Sequence, residues 1–342
     1  LQPNRQGKHM SDWNGLALQS EYSTELGDTS AAFKAKVTNW INDGLFDIST
    51  RHNWPFLRVE GQKLFTASAE EQSLLVTAPT APSVAASGSG NSLTASTYEV
   101  AITFLSTTLG VETRLGAVSS QQTVASGEQI DVTSIPISSD SDIDRRRVYY
   151  RDDTNGGDWF LHEEITDNTT TTSTITTDAT GGSTTRRPPS WDYLKEIDGD
   201  PWFKSTAQRV LSNQSLQEIW RRESGNIPSG TVSFWGAVTK DKILVSPDPS
   251  AAITASFYFF KNPGRIFADR THIPQFPFSM KAALDEYVKW RGMRYRDRDG
   301  VIGQLQIYDA TITRLIKDYG KAINVVGRVR DTMGNSDGHI VN

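Results

Sequence analysis

No lysine occurs between Lys63 and Lys195, and inside that gap the chain changes character. From Ala78 to Pro189 the text is rich in Ser, Thr, Gly and Val. Pro79, Pro82, Pro188 and Pro189 stand at its borders like hinge residues. A block of roughly 110 residues with its own composition and proline-rich borders reads as an inserted domain at 78–189. The flanking text, 10–77 and 190–322, then has to close on itself across the interruption.

Within the block the hydrophobic period is two. Tyr98, Val100, Ile102 and Phe104 alternate on one face, and Ile130, Val132 and Ile135 continue the pattern. The segments 146–151 (RRVYYR) and 158–166 (DWFLHEEIT) flank a turn, DDTNGGD, and form a hairpin. The threonine-rich 169–177 closes the sheet as a last strand, since β-branched residues suit it. Short strands separated by turn chemistry, with no helical pattern, indicate a β-sandwich.

The flanks have a different period. Asp28 or Thr29 offers an N-cap, and Phe33, Val37, Trp40, Ile41, Leu45 and Ile48 form one stripe of a helix. Pro55 ends it near His52 by restricting Trp54. The runs 58–66 and 73–77 read as extended. Beyond the block, 206–225 is partly helical, and 231–238, 241–247 and 251–260 read as strands, the last alternating Ile253, Ala255, Phe257 and Phe259. Two helices follow. One starts near Ser279 and stacks Leu284, Tyr287, Val288, Arg291 and Tyr295. The other carries Val301, Leu305, Tyr308, Ile312, Leu315 and Tyr319 at heptad-like spacing and stops at Gly320. The joint at 297–300 makes them antiparallel neighbours. The segment 323–342 is polar and glycine-dotted and reads as a flexible tail, with Ile323, Val325, Val326 and Val329 suited to order on a partner. The expected fold class is α+β: a helical-bundle body with a small antiparallel β element, plus an inserted all-β immunoglobulin-like sandwich.

Chemistry is sparse. The chain of 342 residues has no cysteine, which excludes disulfides, thiolate metal sites and a cysteine nucleophile. A formal charge of -5 gives no basic field of the kind nucleic-acid binders carry. No apolar run reaches the roughly 18 residues that span a bilayer, and Met10–Ser11 reads as a natural start, so residues 1–9 stand outside the fold. The five histidines lie far apart, and no phosphate loop, dinucleotide fingerprint or nucleophile elbow is present. Asp140, Asp142 and Asp144 make half of a calcium loop without its glycine and terminal glutamate, which reads better as a solvated acidic loop. The neighbouring carboxylates Glu163 and Glu164, and Asp198 and Asp200, would serve a glycosidase only if a pair converged across a cleft. Trp159 and Phe160 are candidate sugar-stacking residues, and core residues on the competing reading. No cofactor, metal or catalytic residue is expected.

The pieces outside the block resemble one known family. These are the corner DISTRHNWPFL, the strand around Phe257-Tyr258-Phe259 with Pro263, the Ile273-Pro274 step, and the helix pair from Phe278 to Tyr319. Together they resemble the head-to-tail adaptor (connector, or head-completion) proteins of tailed bacteriophages, over roughly 20–77 and 190–325. The resemblance implies a non-enzymatic virion protein of the neck, assembled in the bacterial cytoplasm. Twelve copies would form a ring beneath the portal protein, joined to tail or neck proteins and continuing a channel for genomic DNA. It places portal or tail docking on Ile323, Val325, Val326, Arg328, Val329 and Arg330. Subunit contacts or the channel fall to Lys34, Lys36, Arg291, Arg294 and Arg298. The block resembles a fibronectin type III or immunoglobulin-like phage domain, which compact adaptors lack, and would decorate the outside. The alternatives are a carbohydrate-binding or adhesive surface module using Trp159 and Phe160, and a glycan hydrolase with an accessory sandwich.

Overall fold

The structure is a computed structural model of the chain. It describes residues 13–154, 157–178, 188–189, 192–203, 209–223, 230–239, 241–266 and 273–334, with 209, 222–223 and 320–334 described by backbone alone. The chain opens with α1 (Gly15–Glu25) and α2 (Ala31–Arg51), then β1 (Arg58–Phe65) and β2 (Glu71–Ser73). The inserted block holds β3 (Ser83–Ser87), β4 (Ser96–Ser106), β5 (Val111–Glu112), β6 (Gln122–Val124), β7 (Gln129–Thr133), β8 (Arg145–Asp152), β9 (Phe160–Ile165) and β10 (Ser173–Ile175). After it come β11 (Leu194–Phe203), β12 (Arg209–Val210), β13 (Ser212–Asn213) and α3 (Leu216–Glu223). The chain continues with β14 (Phe234–Ala237), β15 (Lys242–Ser246), β16 (Ile253–Lys261), α4 (Lys281–Tyr295) and α5 (Val301–Gly334). Two compact units result, one from residues up to Phe56 and from Arg270 onward, the other from Leu57 to Asp269.

In the helical unit the α2 stripe is buried as expected: Phe33, Val37, Trp40, Ile41, Leu45 and Ile48 all face inward. Its cap is Ser30, whose Oγ accepts from Phe33 N, while Asp28 instead accepts from Ser30 N. Gly44 lets α4 approach closely, because a Cβ there would sit 2.8 Å from Tyr287 Cδ1. Trp54 is fully buried and its indole N–H donates to Ile48 O at 2.7 Å, tying the corner back onto the last turn of α2. Glu21–Lys281, Glu25–Lys289, Asp43–Arg291 and Arg51–Asp309 pair the N-terminal helices with the C-terminal ones. The helix α1 was not read from the sequence. Asn14 caps it by accepting from Ala17 N, and Leu18 and Tyr22 fill the core. The helix α5 passes through Gly320 to Gly334. A glycine costs only about 1 kcal/mol in a helix interior, too little to stop one already propagated over several turns.

The second unit overturns the expected fold class. This is no helical-bundle body with a small β element interrupted by one insertion. The described residues carry four sheets, and strand exceeds helix. The flanks themselves supply two of the sheets, ordered β1-β16-β11-β12 and β13-β14-β15-β2. These share one core that includes Phe65, Tyr193, Phe203, Leu211, Trp235, Val245, Phe257 and Phe259. The reason for the misreading is physical: the pairing β1–β16 joins Arg58 to Phe260 and Phe65 to Ile253, across the whole inserted block, and local periodicity carries no sign of that. The central strand β11 was hidden by Asp198-Gly199-Asp200-Pro201, a run of turn formers. The sheet absorbs them in a register shift between Asp198 and Trp202, with Gly199 at φ +80°. Among the described residues of 206–225, Leu216–Glu223 is helical, and β2 falls at Glu71–Ser73 rather than 73–77.

The inserted block is a two-sheet sandwich, β5-β4-β8-β9 with β6 on β4, facing β10-β7-β3. Its alternating residues Tyr98, Val100, Ile102, Ile130, Val132, Val148, Tyr150 and Ile175 make one core.

Candidate functional sites

The structure brings part of the expected basic surface into one neighbourhood and spends much of it internally. Lys36 donates to Tyr295 Oη at 2.6 Å and lies 4.2 Å from that ring's centroid. Arg291 pairs with Asp43 at 3.2 Å, and its guanidinium and that of Arg294 both lie within 6 Å of the Trp290 ring. Arg294 and Arg298 are exposed at the end of α4 and beyond it, and Lys34 is half-buried on α2. Large apolar side chains also stand in solvent in this unit: Tyr295 at 52% exposure, Ile302 at 76% and Ile307 at 51%. The docking residues Ile323, Val325, Val326, Arg328, Val329 and Arg330 lie on the α5 backbone, and their side chains fall outside the described residues.

On the sandwich, Trp159 and Phe160 part company. Phe160 is half-buried and packs against the inner core, 6.3 Å from the Tyr150 ring centroid. Trp159 is half-buried with the Arg151 guanidinium 4.9 Å from its ring centroid. The carboxylate pairs do not converge. Glu164 is held by Arg145 and Arg147, while Glu163 accepts from Ser173. Asp198 pairs with Arg58, and Asp200 accepts from the Trp235 indole. Burial lowers the His162 pKa, its ring edge-on to Tyr150.

The richest polar constellation lies where sandwich and body meet inside the second unit. Asp140, Asp142 and Asp144 do not gather round a common point. Asp144 accepts from Thr107 N at 2.8 Å, Asp142 from Gln62 N at 3.0 Å, and Asp140 faces Lys63 Nζ at 2.8 Å. Leu109 and Val111 enter the body's core. The Lys261 ammonium, in a side chain only 7% exposed, reaches the carbonyls of Leu109 and Gly110, and burial lowers its pKa to about 8. Arg114 pairs with Asp192, and Ala117 N donates to Pro79 O. Lys63 and Lys261 were missed from sequence. The available signal was parity: both fall on the core-facing positions of their strands, where an apolar residue belongs.

Among the described residues no group of three His, Asp or Glu side chains could hold a metal, and no helix is long and apolar enough to cross a membrane. A search of family models and of curated proteins returns no match to this chain.

Proposed function

We propose that the chain is a structural virion protein, a head-to-tail adaptor whose copies form a ring beneath the portal and join capsid to tail. The observation that carries the reading is the place of the residues behind the resemblance. The Trp54-Pro55 corner is a buried lock of the helical unit, Phe257–Phe259 lies in a central strand of the body, and Phe278–Tyr319 supplies the helix pair α4–α5. Each is an architectural joint. Exposed Tyr295, Ile302 and Ile307, with Arg294 and Arg298 nearby in sequence, suit contacts between copies. The tail segment from Ile323 docks on the portal or on tail and neck proteins. DNA traverses the ring without sequence-specific contacts, since firm phosphate binding would slow its exit. The sandwich decorates the ring as a fixed part of each subunit.

The test is electron microscopy of the chain mixed with the portal protein encoded in the same genome. Rings on the portal are expected. Charge reversal at Lys34, Arg294 and Arg298 is expected to weaken ring formation with the melting temperature unchanged. A chain that stays monomeric and does not bind the portal overturns the reading.

A further inference from the structure

The core-facing side of β1 carries Val59, Gly61, Lys63 and Phe65, opposite Phe259, Phe257, Ala255 and Ile253 of β16. Phe65 is fully buried, and Gly61 is pressed so close to the Phe259 ring that a Cβ would sit 2.8 Å from it. Lys63 is out of place in that row. Its side chain keeps 16% exposure and that of Asp140 keeps 8%, with Nζ 2.8 Å from Asp140 Oδ2 and 3.2 Å from Leu75 O. The two groups come from different domains: Lys63 from the body, Asp140 from the sandwich loop that follows β7.

A second carboxyl completes the cluster. Asp142 is fixed by the N–H of Gln62, next to Lys63 in the chain, and its own N–H donates to Asp140 Oδ1 at 3.3 Å. Burial pushes the Asp142 carboxyl above its ordinary pKa, with repulsion from Asp140 and Glu60 adding to the rise, while Lys63 and the Gln62 hydrogen bond oppose it. Asp140 and Asp142 border a cavity of about 10 Å³ walled by Leu109, Ile143, Tyr193, Phe257 and Phe259. That volume has room for about one water. An amine and a carboxyl thus stand in contact with a second carboxyl beside them, and both carboxyls border an apolar cavity.

We propose that Lys63 and Asp140 join in an intramolecular amide bond that staples the sandwich to the body, with Asp142 carrying the proton. In the step, the Lys63 ammonium loses a proton and its Nζ lone pair attacks Cγ of Asp140. The Nζ–Cγ bond forms, one Cγ–O bond breaks, and that oxygen leaves as water with two protons from the original ammonium. Asp142 takes one of these protons from the nitrogen and delivers it to the departing oxygen. Charges and atoms balance without an added reagent. The geometry favours the reaction: the reactants are held in contact, which removes most of the entropic barrier.

Intact-mass spectrometry of the purified full chain tests this. A mass short by one water is expected, together with a branched peptide linking the β1 segment to the loop containing Asp140. The variant Lys63→Arg keeps the ion pair and cannot form the amide, so it is expected to fold and show the full mass, as is Asp140→Ala. Asp142→Asn is expected to slow the loss of water by on the order of 100-fold or more, as removal of a positioned proton carrier does. A full-mass wild-type chain after prolonged incubation overturns the proposal. Loss of water confined to one linear peptide, as from an aspartyl succinimide, overturns it as well.

Discussion

The sandwich closes its core with side chains from one continuous stretch, Leu93 to Ile175. The body draws on Phe65, Tyr193, Trp235 and Phe259, which the chain brings together only across the inserted block, and it also takes in Leu109 and Val111 from the sandwich. Dependence therefore runs one way. The sandwich has what a separate domain needs, whereas the body is incomplete without its guest. Proline-rich borders suggested a decoration on hinges. Lys261 on the carbonyls of Leu109 and Gly110, Asp142 on Gln62 N, and Arg114 on Asp192 instead hold it to the body at several points. Borders of an insertion and freedom of an insertion are separate properties, and composition reports only the first.

The sharpest way to break this asymmetry is to cut the two apart. Replacing 78–189 with a short flexible linker is expected to abolish protection of the β16 amides in hydrogen exchange, while the isolated block 78–178 still melts cooperatively. Persistent protection of β16 would show a self-sufficient body. Next in size, Arg147→Ala leaves buried Glu112 without its guanidinium and is expected to cost the sandwich about 3–5 kcal/mol in denaturant melts. The double variant with Glu112→Gln should recover part of that loss. Leu109→Ala is expected to cost about 2–5 kcal/mol, read in the body although the residue belongs to the sandwich. Ile102→Ala, of similar size, should be felt in the sandwich alone.

A pH series gives a smaller, signed effect. The Lys261 pKa is lowered to about 8 in the folded chain, against about 10.4 unfolded. Between those values the unfolded chain binds more protons, so stability rises with pH across the window and carries a constant penalty below it. The rise is on the order of 2–3 kcal/mol. Lys261→Met should flatten the rise, as measured by urea midpoints from pH 7.5 to 10. The smallest effect is on the surface: Lys242→Ala removes an exposed ion pair with Glu71 and is expected to leave the urea midpoint almost unchanged.

What the sequence disclosed follows from the range of the interactions involved. The helix α2 and strands β4, β8 and β9 were legible because their apolar periods are local: the residues those periods single out on α2 and β4 are buried, although β4 buries its other face as well. The helix α1 was not, since Leu18 and Tyr22 make too short a stripe among Ser and Thr. The body's sheets were hidden because their partners lie far apart in the chain, as Lys63 with Ala255 and Leu194 with Lys261 show. The acidic loop 140–144 was visible as chemistry and read as solvated, which holds for Asp144 but not for Asp140 and Asp142, which turn toward the body. Only the fold shows that Lys63 and Gln62 arrive opposite it.

The helical unit is sewn from both ends of the chain, and this bears on the order of events during synthesis. Tyr22 donates to Asp285, and the Trp13 indole N–H to Phe276 O, each across 263 positions of chain. A chain emerging from the ribosome at about 5–20 residues per second exposes α1 and α2 many seconds before α4 exists. Through that interval Trp40, Ile41 and Leu45 lack the face they will bury, while the sandwich receives its last strand about 100 residues before α4. Full-length synthesis is thus a checkpoint: a product truncated before α4 keeps a folded sandwich but cannot close the helical unit.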